Sequence, residues 1–368
     1  MFFEPLLLGA NLFFTPYAIL LTAAGCFLGL IIGVLPGLGP LMGIILLTPV
    51  ALYLPPVAGM GLLIAIFVGG SCGGAVSAIL LRIPGTPLAA ATLLDGYPMA
   101  QNGRAAEAVG TAISASALGG LLGGLFLIFL SPLLAAVALR FGPPEYFALT
   151  LLGLISITVV SRESTVKGLM VGAVGMLFST VGMDLFASAY RFTFGLPQML
   201  GGFHIVAMVV GLFALSEMFM QILQGGLSRS SNVELIRASW WAIVATLKRW
   251  FNVIRSSIIG IFFGALPGAG GVIAAFASYA VAKATNKRPE TFGTGNPDGV
   301  IATESANNAT CGGALIPTLA LAIPGDATTA VLMGALILVG FFPGPEFFKN
   351  HVDVVGGIFL AYIVANIF

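Results

Sequence analysis

Charge is scarce in this sequence. Charged residues make up 8% of its 368 residues, whereas a soluble globular domain contains about 25%. Between Glu4 and Arg82 there is no Asp, Glu, Lys, Arg or His, and about 20 apolar residues suffice to cross the core of a bilayer. This run therefore excludes a soluble domain and predicts several membrane-crossing segments.

Alternating polar and apolar segments, which are typical of transmembrane β-barrels, are also missing. Helices suit such apolar runs because hydrocarbon offers no partner to an unpaired backbone N–H or C=O group. The net charge of +1 leaves no basic face for nucleic acid. We therefore expect an all-α polytopic membrane protein, which forms a single membrane domain over residues 1–368 in the lipid bilayer.

Residues that serve catalysis are equally rare. The sequence has only two histidines, and Cys26, Cys72 and Cys311 lack the spacing of a disulfide framework or a zinc site. Ser71 lies in a G-x-S-x-G pattern like that of serine hydrolases, but its apolar surroundings contain no base. We expect no enzyme, no catalytic residue and no cofactor.

An internal similarity is the most informative feature that is present. Residues 29–39 (GLIIGVLPGLG) and 260–270 (GIFFGALPGAG) are identical at six of eleven positions. Further along, the sequence CGGA occurs at Cys72–Ala75 and again at Cys311–Ala314. Matches in the same order predict that the chain contains two related units.

The similarity continues into a Pro-Gly pair after each CGGA sequence. Pro84-Gly85 corresponds to Pro324-Gly325 after a one-residue insertion. We predict a first repeat over about residues 17–140 and a second over about 256–368, with intervening spans and a basic loop at about 141–255. We expect the two repeats to have inverted topology.

Proline and glycine interrupt the apolar runs at matching positions. Pro36 and Pro267 each remove a backbone donor, which favours the end of a helix, and the following glycines allow a tight turn. A broken or re-entrant helix leaves free N–H groups and carbonyls that suit an anion and a cation. Such paired interruptions point to the binding site of a secondary transporter.

Helix packing is the alternative interpretation of these glycines. Gly29-xxx-Gly33 and Gly260-xxx-Gly264 have the spacing of small-residue helix interfaces, as does the segment from Gly119 to Gly124. For the last segment, which lacks proline and polar neighbours, packing is the favoured interpretation.

Ionisable residues within apolar runs are costly in hydrocarbon and usually face a protein interior or a cavity. Five such residues are candidates for function or for the water interface: Arg82, Asp184, Glu217, Glu304 and Asp326. His204 also lies in a charge-free run, where a hydrogen-bonded packing role is favoured.

Seven motifs, taken together, carry a family resemblance. They are Leu35–Pro40 (LPGLGP), Gly69-Gly-Ser71 through Pro84-Gly-Thr86-Pro87, Asp95–Ala100 (DGYPMA), Leu266–Gly270 (LPGAG), Asn307-Asn308, Pro324-Gly325 and Pro343-Gly-Pro345. In these motifs and their order, the chain resembles the large membrane subunit of the bacterial tripartite tricarboxylate transporter family.

The resemblance implies a multi-pass permease of the bacterial inner membrane, which imports carboxylates down an ion gradient. It also implies two partners, a small membrane subunit and a periplasmic solute-binding protein. Family members normally continue for several more spans, so we expect further C-terminal spans after Phe368.

We expect one carboxylate solute to bind between the two repeats. The expected solute-binding residues are Pro36, Gly37, Gly39, Ser71, Arg82, Gly85, Thr86, Pro267, Gly268, Gly270, Asn307, Asn308, Thr310 and Gly325. For the coupling cation we expect Na⁺, with H⁺ as the alternative, and oxygen ligands from Asn307, Asn308 and Asp326. An ion or anion channel, or a membrane-embedded enzyme, remains as an alternative function.

Overall fold

A computed structural model describes residues 3–35, 37–145, 147–148, 151, 164–183, 190–203, 219, 223, 240–267 and 270–368. In these residues the chain is almost entirely helical. The helices are α1 (Phe3–Phe13), α2 (Pro16–Val34), α3 (Gly39–Ala51), α4 (Pro56–Leu81), α5 (Leu93–Met99), α6 (Ala105–Ala138), α7 (Thr165–Ser179), α8 (Trp240–Leu247), α9 (Trp250–Ala265), α10 (Gly270–Thr285), α11 (Pro297–Leu321), α12 (Ala327–Leu338), α13 (Pro345–Asn350) and α14 (Val352–Ala365).

Short elements connect some of these helices. A 3₁₀ turn (Pro87–Ala90) precedes α5, and a π turn (Ala100–Arg104) joins α5 to α6. Two further 3₁₀ turns lie at Pro197–Met199 and Pro289–Thr291. Strands β1 (Gly182–Met183) and β2 (Tyr190–Arg191) pair antiparallel.

Within the described ranges, three helical segments are long and apolar enough to cross a bilayer. They are Pro16–Val34, Pro56–Leu81 and Leu93–Ala138. Several further helices are apolar but shorter, including α3, α9, α12 and α14. The expected fold class, an all-α polytopic membrane protein, is therefore confirmed.

Helices α4 and α11 form the centre of the molecule. Nearly every residue of α4 from Val57 to Ile79 is buried, and so is every residue of α11 from Gly299 to Ala320. Helix α4 is apolar almost throughout, as expected of a helix surrounded by other helices. Helix α11 is different, because it buries a group of six polar side chains within eight residues. They are Thr303, Glu304, Ser305, Asn307, Asn308 and Thr310.

Glycine allows the flanking helices to approach these two central helices closely. A Cβ atom at Gly29 of α2 would lie 2.7 Å from the carbonyl oxygen of Ile66 in α4. A Cβ atom at Gly313 of α11 would lie 2.5 Å from the carbonyl oxygen of Ile261 in α9. The segment from Gly119 to Gly124 packs against α11 and α14, which confirms its predicted packing role.

The helix breaks occur where proline and glycine predicted them. Helix α2 ends at Val34, and Leu35 is extended with ψ 113° and donates its N–H to Ile32. Helix α9 ends at Ala265, and Leu266 is extended with ψ 114° and donates its N–H to Phe263. The two breaks thus have the same backbone conformation.

The matched segments also agree in how the next helices begin and how the central helices end. Helices α3 and α10 begin at Gly39 and Gly270, with φ of +60° and +68°. Helices α4 and α11 end with left-handed residues, Arg82 and Ala322. The complete repeats at about 17–140 and 256–368, their inverted orientation and the intervening segment at about 141–255 stay predictions.

The close approach at Gly264 makes a stability prediction. A Cβ atom there would lie 2.5 Å from the carbonyl oxygen of Thr310 and 3.0 Å from the backbone nitrogen of Ala314. We expect Gly264→Ala to lower the free energy of unfolding by about 1–3 kcal/mol because α9 must move away from α11. The measurement is the thermal midpoint of the detergent-solubilised protein, followed by size-exclusion chromatography.

Gly175→Ala is the matched control, because Gly175 lies in helix α7 and a Cβ atom there meets nothing within 4 Å. Alanine should leave the thermal midpoint unchanged or raise it slightly, since alanine is the better helix former. Equal midpoints for both variants would contradict the proposed packing constraint.

Candidate functional site

The first Pro-Gly loop folds back onto helices α2 and α4. Gly85 donates its N–H to the carbonyl oxygen of Gly74 at 3.3 Å. A Cβ atom at Gly85 would collide with the carbonyl oxygen of Gly33 and would lie 2.6 Å from Oγ of Ser77. The loop therefore lies directly beside the break that follows α2.

The second Pro-Gly loop has a comparable position against α9 and α11. A Cβ atom at Gly325 would lie 2.7 Å from the carbonyl oxygen of Gly264 and 2.7 Å from Cα of Ala314. Its N–H donates to Oγ1 of Thr318 at 3.4 Å. Gly33 and Gly264, which receive the two loops, are matched positions in the sequence.

Contacts then cross between the two parts of the chain. Helix α12, which follows the second loop, packs against α3, which follows the first break. The 3₁₀ turn Pro87–Ala90, which follows the first loop, packs against α10, which follows the second break. Leu88 of that turn lies against Gly271 at the start of α10. Both breaks and both loops therefore surround the central pair α4 and α11.

Three of the predicted site residues have buried oxygens without a hydrogen-bond partner among the described residues. These atoms are Oγ1 of Thr86 and the Oδ1 atoms of Asn307 and Asn308. The three residues are at most 2% exposed. An unpaired buried acceptor costs free energy, so these atoms are candidates for contact with a bound solute or ion.

Ser71 and Thr310 are buried and hydrogen-bonded. Ser71 accepts a hydrogen bond from Sγ of Cys311 at 3.3 Å, and its carbonyl accepts from Nδ2 of Asn307 at 3.1 Å. Thr310 donates to the carbonyl of Ala306 at 2.7 Å, within its own helix. Ser71 and Asn307 therefore join α4 to α11 directly.

Asp326 caps a helix. Its Oδ1 accepts the N–H of Thr329 at 2.8 Å, and the Thr329 hydroxyl accepts the N–H of Asp326 at 3.0 Å. This reciprocal capping box stabilises the start of α12. The structure thus gives Asp326 a structural role, and its predicted role as a cation ligand stays untested.

Arg82 lies at an exposed position at the end of α4. It adopts a left-handed conformation with φ of +59°, and its guanidinium lies 5.3 Å from the ring centroid of Tyr97. This cation–π contact holds the side chain beside α5. The predicted contact between Arg82 and a solute stays a prediction.

Several earlier candidates fall outside the described residues or near their edge. Pro36, Gly268, Asp184, His204 and Glu217 lie outside the described residues. Gly37, with φ of +87°, and Pro267 are described and lie in the two turns.

Glu304 is a candidate functional residue whose hydrogen-bond partners could not be predicted from the sequence. Its side chain is 0% exposed, and it accepts hydrogen bonds from Thr92, Ser116 and Asn307. The sequence showed Glu304 as a charge in an apolar run, but gave no signal for Thr92 and Ser116, which are far away along the chain.

Asp95 is a second buried carboxylate, and its partners assign it a structural role. Its Oδ1 accepts the backbone N–H groups of Gly293, Gly295 and Asn296 at 2.8–2.9 Å. Its Oδ2 accepts from the hydroxyl of Tyr279 at 2.9 Å. The DGYPMA motif thus fixes the loop that leads into α11.

A cavity of about 390 Å³ lies beside the polar part of α11. Asn308 and Asn366 are its polar lining residues, together with Cys26, Cys72 and mainly apolar side chains. Oδ1 of Asn366, like that of Asn308, has no partner among the described residues.

The family model described as the tripartite tricarboxylate transporter TctA family matches residues 19–368. The chain belongs to this family. It is a family of transporters, and its tripartite organisation implies partner subunits. The resemblance found from the sequence motifs is thereby confirmed.

Two similar proteins of Agrobacterium vitis have been described without an assigned activity. The chain is 39% identical over 360 residues to an uncharacterised 52.8 kDa protein in the TAR-I ttuC' 3' region, an alignment that covers 98% of this chain and 72% of that protein. It is 42% identical over 108 residues to an uncharacterised protein in the TAR-II ttuC' 3' region, covering 29% of this chain and 45% of that protein. No solved structure matches the chain.

The turns at Gly39 and Gly270 make a prediction about transport. Each has positive φ, and a Cβ atom would meet only Thr86 at 3.8 Å in one case and nothing within 4 Å in the other. Alanine therefore strains the backbone by about 1–2 kcal/mol without a steric clash. We expect Gly39→Ala and Gly270→Ala to lower uptake of solute by proteoliposomes while membrane expression stays nearly normal.

Gly103→Ala is the matched control for these two variants. Gly103 also has positive φ, +75°, and open space around its Cα, but it lies in the π turn between α5 and α6. It carries the same strain outside the candidate site. Uptake that falls equally in all three variants, or in none, would contradict a role of the two turns in binding.

Proposed function

We propose that this chain is the permease subunit of a secondary active transporter, which imports tricarboxylates or dicarboxylates across the bacterial inner membrane by using a cation gradient. The observation that supports this proposal is the crosswise contact between the two broken-helix regions around α4 and α11. Such an arrangement encloses a site between two parts of a chain that can move against each other.

The partners follow from the tripartite organisation of the family. A periplasmic solute-binding protein captures the carboxylate and delivers it to the permease. A small membrane subunit completes the membrane complex.

Helix starts supply the expected contacts with the anion. The first turn of α3 has no side-chain cap, so its N–H groups are free to face a carboxylate. The side chain of Thr86 lies close to the same turn, with its Cγ2 3.8 Å from the Cβ position of Gly39, and its hydroxyl has no partner among the described residues. A carboxylate bound there would accept hydrogen bonds from both groups.

Na⁺ is the proposed coupling cation, held by oxygen atoms of α11. The unpaired Oδ1 atoms of Asn307 and Asn308 support this proposal, because hard cations prefer oxygen ligands. Asp326, expected as a third ligand, already uses Oδ1 in the capping box of α12. A carboxylate that does not already cap a helix would supply the negative charge more readily.

The decisive experiment is uptake by proteoliposomes that contain the permease and its small partner, with the binding protein added or omitted. A secondary transporter accumulates labelled carboxylate above the outside concentration only when a cation gradient is imposed. Equilibration without accumulation would indicate a channel, and a chemically altered solute would indicate an enzyme.

Thr86→Val tests the solute contact. Valine has nearly the same shape as threonine, and the lost hydroxyl has no partner among the described residues, so the thermal midpoint should not fall. We expect the half-saturating solute concentration to rise by about tenfold, as for loss of a hydrogen bond to a charged group.

Thr48→Val is the control for this change. Thr48 is a buried threonine of α3, and its hydroxyl donates to Ile44 of the same helix. The Thr48→Val variant should leave the half-saturating solute concentration unchanged. An unchanged solute affinity in Thr86→Val would remove Thr86 from the site.

Arg82→Lys tests whether the exposed guanidinium recognises the solute. A guanidinium binds a carboxylate through two parallel hydrogen bonds, which lysine cannot reproduce. If Arg82 contacts the solute, affinity falls in Arg82→Lys, and Arg82→Asn changes the ranking among mono-, di- and tricarboxylates. Unchanged affinity and ranking in a panel of carboxylates would limit Arg82 to its contact with Tyr97.

A further inference from the structure

We infer that Glu304 supplies the negative charge of the Na⁺ site and that the site is completed by Asn307, Thr92 and Ser116. This inference rests on the proposed function, because it names the ligands of the coupling cation. The anionic ligand is then Glu304, in the centre of the molecule, instead of Asp326, which caps a helix.

The side chains around Glu304 are able to donate to an ionised carboxylate. Its Oε1 accepts from the hydroxyl of Thr92. Its Oε2 accepts from the hydroxyl of Ser116 at 2.9 Å and from Nδ2 of Asn307 at 3.3 Å. An ionised carboxylate only accepts hydrogen bonds, so groups able to donate on both of its oxygens stabilise that form.

No cation of the described residues balances this charge. The ion pairs within the described ranges are Arg104–Glu107 and Arg249–Asp298, and Glu304 takes part in neither. A buried and unpaired carboxylate within a membrane protein is costly. A bound cation would neutralise the carboxylate and lower that free-energy cost, which favours binding of Na⁺ there.

Side chains that carry oxygen atoms suited to a hard cation contact the carboxylate. Oδ1 of Asn307 is fully buried and unpaired, and the amide nitrogen of the same side chain contacts Oε2 of Glu304. The hydroxyls of Thr92 and Ser116 have lone pairs that they can turn toward a cation. Carboxylate, amide and hydroxyl oxygens together make the ligand set that such a cation prefers.

The position of these ligands links the cation to the solute site. Thr92 follows the 3₁₀ turn Pro87–Ala90, which packs against α10. Asn307 also donates to the carbonyl of Ser71 in α4. A cation bound at Glu304 would therefore tie α4, α6, α11 and the first Pro-Gly loop together, and so favour the geometry that receives the anion.

The test measures Na⁺ binding directly, without transport. The purified permease in detergent is titrated with NaCl at constant ionic strength, with choline chloride as the replacement salt, and the thermal midpoint is recorded. We expect Na⁺ to raise the midpoint of the parent protein in a saturable manner. In Glu304→Gln the Na⁺-dependent rise should disappear.

Two milder variants test the same site in case Glu304→Gln does not fold. Ser116→Ala removes one hydroxyl, and Glu304→Asp keeps the charge but withdraws it by one methylene. Each should raise the half-saturating Na⁺ concentration by about tenfold, as for loss of one hydrogen bond or ligand of a charged group. Glu107→Gln is the control, because Glu107 is 44% exposed and pairs with Arg104 at 2.7 Å, and its Na⁺ titration should match that of the parent.

The outcomes separate this inference from the proposed function. A saturable Na⁺ effect that is equal in the parent, Ser116→Ala and Glu304→Asp would overturn the assignment of Glu304. No Na⁺ effect in the parent would overturn the Na⁺ site itself, although proton-driven carboxylate uptake by proteoliposomes would leave the transporter intact. Absence of uptake under every gradient, together with normal Na⁺ binding, would reject the transport proposal and retain the site.

Discussion

The close approach of helices at glycine is the constraint on which the rest of this structure depends. Helices α2 and α9 reach the backbone carbonyls of α4 and α11 because Gly29 and Gly264 have no side chain. Lipid provides no hydrophobic force between helices, so van der Waals contact at such seams must hold them together. The seams bury α4 and α11 almost completely, and this burial creates the interior in which polar residues of α11 can acquire a function.

The two buried carboxylates, Asp95 and Glu304, differ in the groups that donate hydrogen bonds to them. Asp95 accepts three backbone N–H groups and a tyrosine hydroxyl, so its hydrogen bonds hold one loop in place. Among the residues that the structure describes, Glu304 accepts hydrogen bonds from side chains alone, those of Thr92, Ser116 and Asn307. Side-chain donors reorient more readily than backbone N–H groups held in a loop, which is why we propose Glu304 rather than Asp95 as the carboxylate that binds an ion.

Breaks in the helices lie beside the same interior. The turns after α2 and α9 have the same backbone conformation, and the Pro-Gly loops rest on the matched residues Gly33 and Gly264. The segment that follows each Pro-Gly loop contacts the helix that follows the opposite break. We therefore expect a shift at one break to displace the segment packed against it. We expect coupling between ion and solute to use this mutual contact.

The sequence by itself determined the membrane class, the family and the helix breaks. The charge-free run from Glu4 to Arg82 is long enough for several bilayer crossings, and Pro267 with its glycines favours the end of a helix. Only the tertiary structure decided which polar residues are unpaired. The sequence did not show that the carboxylate of Asp326 caps α12, nor that Glu304 has Thr92 and Ser116 as hydrogen-bond partners. Hydrogen-bond partners so distant along the chain are set by packing, which local sequence patterns do not encode.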